Sequence, residues 1–378
     1  MIDEIRNRID KIDDELAGLF AQRLSLVEEI AKKKKEENLP ILNTAREREI
    51  ITRLTEGKSD AMAGYTKTLY TAIFDLSRSH QARVFSESSK VATSIRSALE
   101  NTPALFPKSA VVACQGTEGA NSTTACERLF ERPSIMYFNT FEGVFAAVDK
   151  GLCQYGVLPI ENSLHGSVTD IYDLMNKYRF SIVQGVKLKI NHVLLAKPGA
   201  KIGDIRKIYS HEQALGQCSD FLKGYNIAIE ACENTAMAAK MISEGDAMDV
   251  AAISSIQCAE LYNLVVLSED VQNSDNNYTK FICISKKLEI YPGARKISLM
   301  TTVSHRPGSL YQLIAKFAAL GINMTKLESR VMPNKDSEAM FYFDFDLSVY
   351  DNDAVFNLFS QLESGNDKFV FLGCYSET

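Results

Sequence analysis

Arg23 interrupts an apolar stripe. Ile2, Ile5, Ile9, Ile12, Leu16, Leu19, Leu26 and Ile30 recur at spacings of 3, 4, 3, 4, 3, 7 and 4, the seam of one long helix. The gap of seven falls on Arg23. A guanidinium on an apolar seam is costly to bury unless an anion meets it, so Arg23 either sets helix pairing or grips an anionic ligand. Lys34, four residues beyond Ile30, continues the seam, and Arg6 lies one step off it. Taken alone, Arg6 reads as a surface charge and Lys32 to Lys35 as a solvated helix end. Ser77 and Gln81 are four apart on a helix face shared with Ile73 and Val84; uncharged hydrogen-bonding groups on a core face imply a polar cavity or a buried network. Thr44 and Glu47 have the spacing of a capping box, a structural role that competes with a catalytic one for Glu47.

The element that must position these residues is a helix of about 33 residues, which at 1.5 Å per residue spans about 50 Å. A small three-helix domain cannot cover such a length, so the stripe predicts dimerisation. The whole chain has 378 residues, enough for two or three domains. It holds 42 Lys+Arg against 48 Asp+Glu, net −6, with 46% hydrophobic residues; that describes a soluble globular protein and disfavours nonspecific nucleic-acid binding, which needs a basic surface. The N-terminus lacks the apolar core of a secretory signal, and no run approaches the roughly 18 apolar residues of a membrane span. Eight cysteines are scattered without metal-ligand spacing, which predicts buried thiols, no metal and a cytoplasmic setting.

Residues 1 to 90 hold 16 basic and 16 acidic residues and a single proline, Pro40, which suits long helices interrupted once. A polar stretch with Pro103 and Pro107 follows, a linker with room for one helix. From Ala110 short β-rich runs (AVVACQG, QYGVLPI, HVLLAKPG, KIYSHEQ, DVAAISS, YTKFICIS) alternate with helical stretches, which predicts an α/β region with largely parallel sheets. From Lys296 the order is KISLMTTV, a turn at Pro307-Gly308, helix SLYQLIAKFAAL, strand INMTKLESRV, turn MPNKD, strand EAMFYFDFDLSV, helix NDAVFNLFSQLE and strand KFVFLGCY. That β-α-β-β-α-β order predicts a ferredoxin-like domain.

The segments IRNRIDKIDDELAGLFAQRLSLVEEIAKKK, NTAREREI and FDLSRSHQ resemble the all-helical chorismate mutases. The resemblance implies that Arg6, reaching from the partner subunit, Arg23 and Ser77 hold the two carboxylates of chorismate. It implies that Lys34 and Gln81 donate to the ether oxygen, that Glu47 accepts from the ring hydroxyl, and that Arg46 shapes the site. Asn43 stands where the family usually has aspartate. The rearrangement to prephenate is pericyclic, with negative charge growing on the ether oxygen, so no nucleophile, metal or cofactor is required; fixing the compact conformer and placing cationic donors suffices.

The middle region carries QGTEGANS, PIENSLHGSV, YSHEQALGQC, NTAMAAKM, AAISSIQCAELYNL and NNYTKF in that order and resembles the prephenate dehydratases. The family fold has two α/β lobes similar to type II periplasmic binding proteins, with the active cleft between them. The resemblance implies Thr279 as the main catalytic residue, Glu161, Asn162, Ser163 and Gln213 lining the cleft with Lys280 and Phe281, and Ser122 and His211 in support. The chain departs from the family at Lys280, usually arginine, and at Ile171, Asn121 and Asn273. Residues 296 to 378 resemble the ACT domain of the same enzymes, through RPGSLYQL and KLESRV; this implies that Gly308, Ser309, Leu310, Asn323, Glu328, Ser329 and Arg330 bind phenylalanine across a dimer interface.

The expected molecule is therefore multidomain: an all-α dimerising mutase domain (1–88), a linker (89–108), a two-lobed α/β dehydratase domain (109–288) and a ferredoxin-like ACT domain (296–378). It takes chorismate to phenylpyruvate under feedback by phenylalanine, as a homodimer or a tetramer built from dimers. One rival keeps only the mutase, with the cleft and ACT domain as a regulatory module. Another is a non-enzymatic amino-acid-binding protein with a helical stalk, which Arg23 on the seam disfavours.

Overall fold

The structure, a computed structural model, describes residues 2–85, 89–225, 227–304, 308–331, 338–347, 349, 355–356, 358–359, 362–363 and 368–378. The expected turns at Pro307 and MPNKD, and part of the helix over 352–363, lie outside the described residues. The chain divides into two compact units, one formed by residues 1–101 with 295–371 and the other by 102–294 with 372–378.

The first unit opens with four helices, α1 (Ile2–Glu36), α2 (Thr44–Thr55), α3 (Asp60–Phe85) and α4 (Lys90–Asn101). Acidic residues Asp3 and Glu4 open α1 and Lys33 to Lys35 close it, complementing the helix dipole at both ends. α1 and α2 pack on α3. Only Val27 and Ala31 of α1 are buried, while Ile5, Ile9, Ile12, Leu16, Leu19, Leu26 and Ile30 are each at least 50% exposed. The stripe is thus a continuous apolar surface on the protomer.

The second unit runs β1 (Ser109–Gln115), α5 (Asn121–Leu129), β2 (Arg132–Phe138), α6 (Phe141–Asp149), β3 (Tyr155–Asn162), β4 (Gly166–Ser167), α7 (Thr169–Tyr178) and β5 (Ser181–Lys189). It continues through β6 (Val193–Ala196), β7 (Lys207–His211), α8 (Glu212–Gln217), α9 (Ser219–Lys223), β8 (Ala228–Cys232), α10 (Thr235–Glu244), β9 (Val250–Ser254), α11 (Gln257–Leu261), β10 (Val265–Ser268) and β11 (Tyr278–Ser285). These strands build two sheets, ordered β2-β1-β3-β11-β5, with β4 on β3, and β10-β6-β9-β7-β8. The sheets are mixed, not largely parallel. β1 is parallel to β2 and β3, but β11 is antiparallel to both β3 and β5, because it returns from the second lobe to insert into the first sheet. Each lobe has its own core, one around Val112, Val157, Phe281 and Cys283, the other around Leu194, Ile208, Ala251 and Ile253.

In the first unit again, β12 (Lys296–Ser304), α12 (Ser309–Ala319), β13 (Met324–Val331) and β14 (Glu338–Asp346) follow, and β15 (Phe369–Tyr375) has its first three residues in this unit and the rest in the second. Their sheet has the order β13-β14-β12-β15. α12 also packs on α3, where Lys316 loses solvation beside Asp75; burial lowers the lysine's pKa and the carboxylate opposes the shift. Among the described residues no helix is long and apolar enough to cross a membrane.

Candidate active sites

Arg23 turns from the seam toward α3, where its guanidinium donates to the Ser77 hydroxyl and lies 5.8 Å from the centre of the Phe74 ring. Ser77 in turn donates to the Ile73 carbonyl at 2.6 Å, one turn back on α3. Burial pulls the arginine's pKa down, while Tyr70 and Glu47 oppose it. Lys34 donates to the Ile41 carbonyl at 2.6 Å; its pKa is likewise lowered by burial and supported by Glu47. Gln81 is 8% exposed, and its buried Oε1 has no hydrogen-bond partner. Such an atom carries a desolvation cost unless a ligand or water meets it. Arg23, Ser77, Lys34, Glu47 and Gln81 therefore belong to one polar region among α1, α2 and α3.

Arg6 and Arg46 do not join them within the protomer. Arg6 is solvent-exposed and pairs with Asp3 at 3.3 Å, and Arg46 pairs with Glu49 at 2.8 Å. The capping-box expectation for Glu47 is corrected. Asn43 caps α2, accepting from the Arg46 amide at 3.0 Å, and the Glu47 carboxylate instead accepts from Arg78 of α3, which also binds Asp75. Arg78 and Asp75 were missed because a charged pair three apart on a helix looks like ordinary surface polarity.

The second cluster forms where β11 lies against β3. Thr279 and Asn162 are register partners, so their side chains share a face at short range. Asn162 Nδ2 donates to Thr279 Oγ1 at 3.0 Å and to Asn277 Oδ1 at 2.9 Å. Its Oδ1 accepts from the amides of Leu164 and His165, each at 3.0 Å, which fixes the turn after β3. Ser163 locks the same turn to the start of β11, donating to the Asn276 carbonyl at 2.8 Å and accepting from the Tyr278 amide at 2.9 Å. Asn277 Nδ2 donates to Gln217 Oε1 at 2.9 Å. That oxygen also accepts from His192 Nε2 at 2.8 Å, and Gln217 Nε2 donates to His165 Nδ1 at 3.0 Å. Burial lowers the His192 pKa against the opposing hydrogen bond to Gln217. Asn277, Gln217, His192 and His165 were not singled out in the sequence; the signal was a polar residue directly ahead of an apolar run, as at His192 before VLLA and Asn277 before β11.

Other expected residues lie apart from this network. Lys280 follows Thr279 on β11 and so points to the other face of the sheet, opposite Glu161 in the register and 3.0 Å from Glu377. Phe281 sits in the first lobe's core. Ser122 is buried in the first turn of α5. His211 caps α8, accepting from the Gln213 amide at 3.3 Å, and Gln213 is exposed. Leu188, the β5 partner of Thr279, lines a cavity of about 190 Å³ together with Asn121, Arg128, Lys187, Lys189 and Ser255. Three cations at one small cavity suit an anionic ligand. Of the expected effector residues, Gly308 to Leu310 open α12, whereas Asn323 lies beyond its other end; Glu328, Ser329 and Arg330 are on β13, the edge strand of its sheet.

A helical region with half-buried cationic side chains is thus followed by a two-lobed α/β unit, and each carries its own polar cluster. A family model for prephenate dehydratase matches residues 112–289 and one for chorismate mutase type II matches residues 5–82. The chain is 36% identical to the arogenate dehydratase/prephenate dehydratase 2 of Arabidopsis thaliana over 70% of its own length and 72% of that protein. It is 29% identical to the bifunctional chorismate mutase/prephenate dehydratase of Escherichia coli K12, over 98% of this chain and 95% of that one. Among solved structures, the prephenate dehydratase of Arthrobacter aurescens in complex with L-Phe superposes with a TM-score of 0.65 at 26% identity, covering 70% of this chain and 90% of that one. The chain belongs to the prephenate dehydratase family, and a chorismate mutase type II region precedes that part.

Proposed function

We propose that the chain is a bifunctional enzyme that rearranges chorismate to prephenate and then decarboxylates and dehydrates prephenate to phenylpyruvate, in the cytoplasm and without a cofactor. Residues 1–88 carry the first reaction, 109–288 the second, and 89–108 link them. The single observation that carries the reading is the placement of Arg23 against Ser77, in the same electrostatic neighbourhood as Glu47 and Lys34. Arg23 and Ser77 hold carboxylate. Lys34 and Gln81 donate to the ether oxygen as charge develops on it, the contribution that lowers the barrier. Arg78 holds the Glu47 carboxylate in place to accept from the ring hydroxyl. Arg6 and Arg46, exposed in the protomer, meet the substrate from the second subunit and at the site's rim. The exposed stripe of α1 supports a homodimer built on that helix.

In the second reaction Thr279 Oγ1 accepts from Asn162, so the hydroxyl keeps its own proton to donate to the departing ring hydroxyl. Loss of carbon dioxide and aromatisation supply the driving force, and positioning supplies much of the rest. Arg128, Lys187 and Lys189 attract the dianion, and Glu161, Ser163, Gln213, Ser122 and His211 shape the cleft. The strand order β13-β14-β12-β15 is that of a ferredoxin-like sheet and supports residues 296–378 as an ACT domain. There phenylalanine is the effector, held across two copies at the start of α12 and along β13.

The test is to incubate the purified protein with chorismate and follow prephenate and phenylpyruvate. Both should form in sequence, Arg23→Ala should lower only the first rate by about a hundredfold or more, and Thr279→Ala only the second. Prephenate that accumulates without phenylpyruvate would leave a mutase with a regulatory module; persistence of chorismate would remove the mutase as well.

A further inference from the structure

The first sheet of the second unit does not end at β5. Residues 376–378 run parallel along the free edge of that strand. The Gly185 amide donates to the Ser376 carbonyl at 2.9 Å, the Lys187 amide to the Thr378 carbonyl at 2.8 Å, and the Thr378 amide to the Gly185 carbonyl at 3.0 Å. The close approach needs two glycines. Gly373 has φ +148° and a Cβ there would lie 2.1 Å from the Ile182 carbonyl oxygen, while a Cβ on Gly185 would stand 3.3 Å from the Tyr375 ring. From this added strand Glu377 reaches past β5 to Lys280 on β11, with Oε2 3.0 Å from Nζ and the side chains 27% and 10% exposed. The ammonium it holds is adjacent in sequence to Thr279 and faces Glu161 across the β3–β11 register.

We propose that Glu377 is a positioning residue for the dehydratase reaction. A nearly buried lysine on β11 needs an anionic partner, and β11 is bulged against β3 between Lys280 and Phe281, so the register that sets Thr279 against Asn162 is irregular at the next step. The strap formed by residues 376–378 holds Lys280 on its own face of the sheet. That keeps the bulge beyond Thr279 and leaves Glu161 from carrying the ammonium alone. Glu377 thus acts through Lys280 on the placement of the Thr279 hydroxyl.

This rests on the reading of the second unit as a dehydratase, and the experiment separates the two. Full-length wild type, Glu377→Gln, Glu377→Asp and the charge exchange Glu377→Lys with Lys280→Glu are assayed for conversion of prephenate, with chorismate consumption as the internal reference. The expected result is a fall in dehydratase kcat of about tenfold for Glu377→Gln with KM within about twofold. Chorismate turnover should stay unchanged, Glu377→Asp should recover most of the loss, and the exchange should be more active than Glu377→Lys or Lys280→Glu assayed alone beside it. An active wild type with an equally active Glu377→Gln overturns the proposal. So does a loss in Glu377→Gln that follows its folded fraction in thermal melts and that Glu377→Asp does not recover. A wild type that forms no phenylpyruvate overturns the dehydratase reading itself.

Discussion

Lys34 gives up solvent as it turns inward, and its charged form is correspondingly easier to lose. Donation to an ether oxygen requires the ammonium, and kcat/KM reports the free enzyme. Mutase kcat/KM should therefore fall on the alkaline side at a pH below the ordinary lysine value of about 10.4. In Lys34→Arg, whose guanidinium does not deprotonate in this range, the residual activity should lack that limb, which a rate series in chorismate from about pH 7 to pH 10 checks. His192 carries the opposite lesson for stability. Its folded pKa lies below the ordinary value of 6.5 through burial, so the unfolded chain binds the proton more readily. Stability is then lost as pH falls through about 6.5, with the sign that linkage requires. Thermal melts of wild type and His192→Gln between about pH 5 and pH 8 should show this slope in the first and its weakening in the second. Arg23 was singled out because it breaks an apolar pattern, and Thr279 only through the resemblance of NNYTKF and its companion motifs to the prephenate dehydratases. Arg78 and Gln217 were not, since what makes them matter is a partner on another element.

At the level of elements, the loop from β1 to α5 is wedged against α11. Gly119 has φ +85°, and a Cβ there would lie 2.9 Å from Cys258 Sγ and 3.0 Å from Leu261 Cδ2, while its carbonyl accepts from Ser255 at 3.1 Å. Gly119→Ala should cost about 1–3 kcal/mol from backbone strain alone, read as a lower denaturant midpoint. Gly18→Ala in α1, with nothing within 4 Å of the new methyl, should instead stabilise by about 0.5–1 kcal/mol. In the second unit β1, β3, β6, β7, β9 and β11 were legible as β-rich runs, whereas β2, β4, β5, β8 and β10 were not singled out. The strand order in the sheets was not legible either. β11 is drawn between β3 and β5 after the whole second lobe has intervened, and no local pattern announces that return. The Thr279–Asn162 pair exists only because of it.

For the molecule as a whole, the apolar stripe of α1 is the feature most open to test. On the proposed homodimer, Leu16→Glu together with Leu19→Glu, each at a position more than half exposed, should give a slower-sedimenting monomer and remove mutase activity, since the proposed role of Arg6 needs a second subunit. Conversion of added prephenate should persist. The strap at 376–378 bears on synthesis as well as catalysis. β1 to β11 leave the ribosome before residues 296–371 do, yet the edge of β5 is covered only when the residues after β15 arrive. Until then the nascent sheet presents an open edge, the kind of surface that recruits chaperones or foreign strands. Pairing β5 with residues 376–378 closes a long loop of intervening chain, a kind of contact that forms slowly.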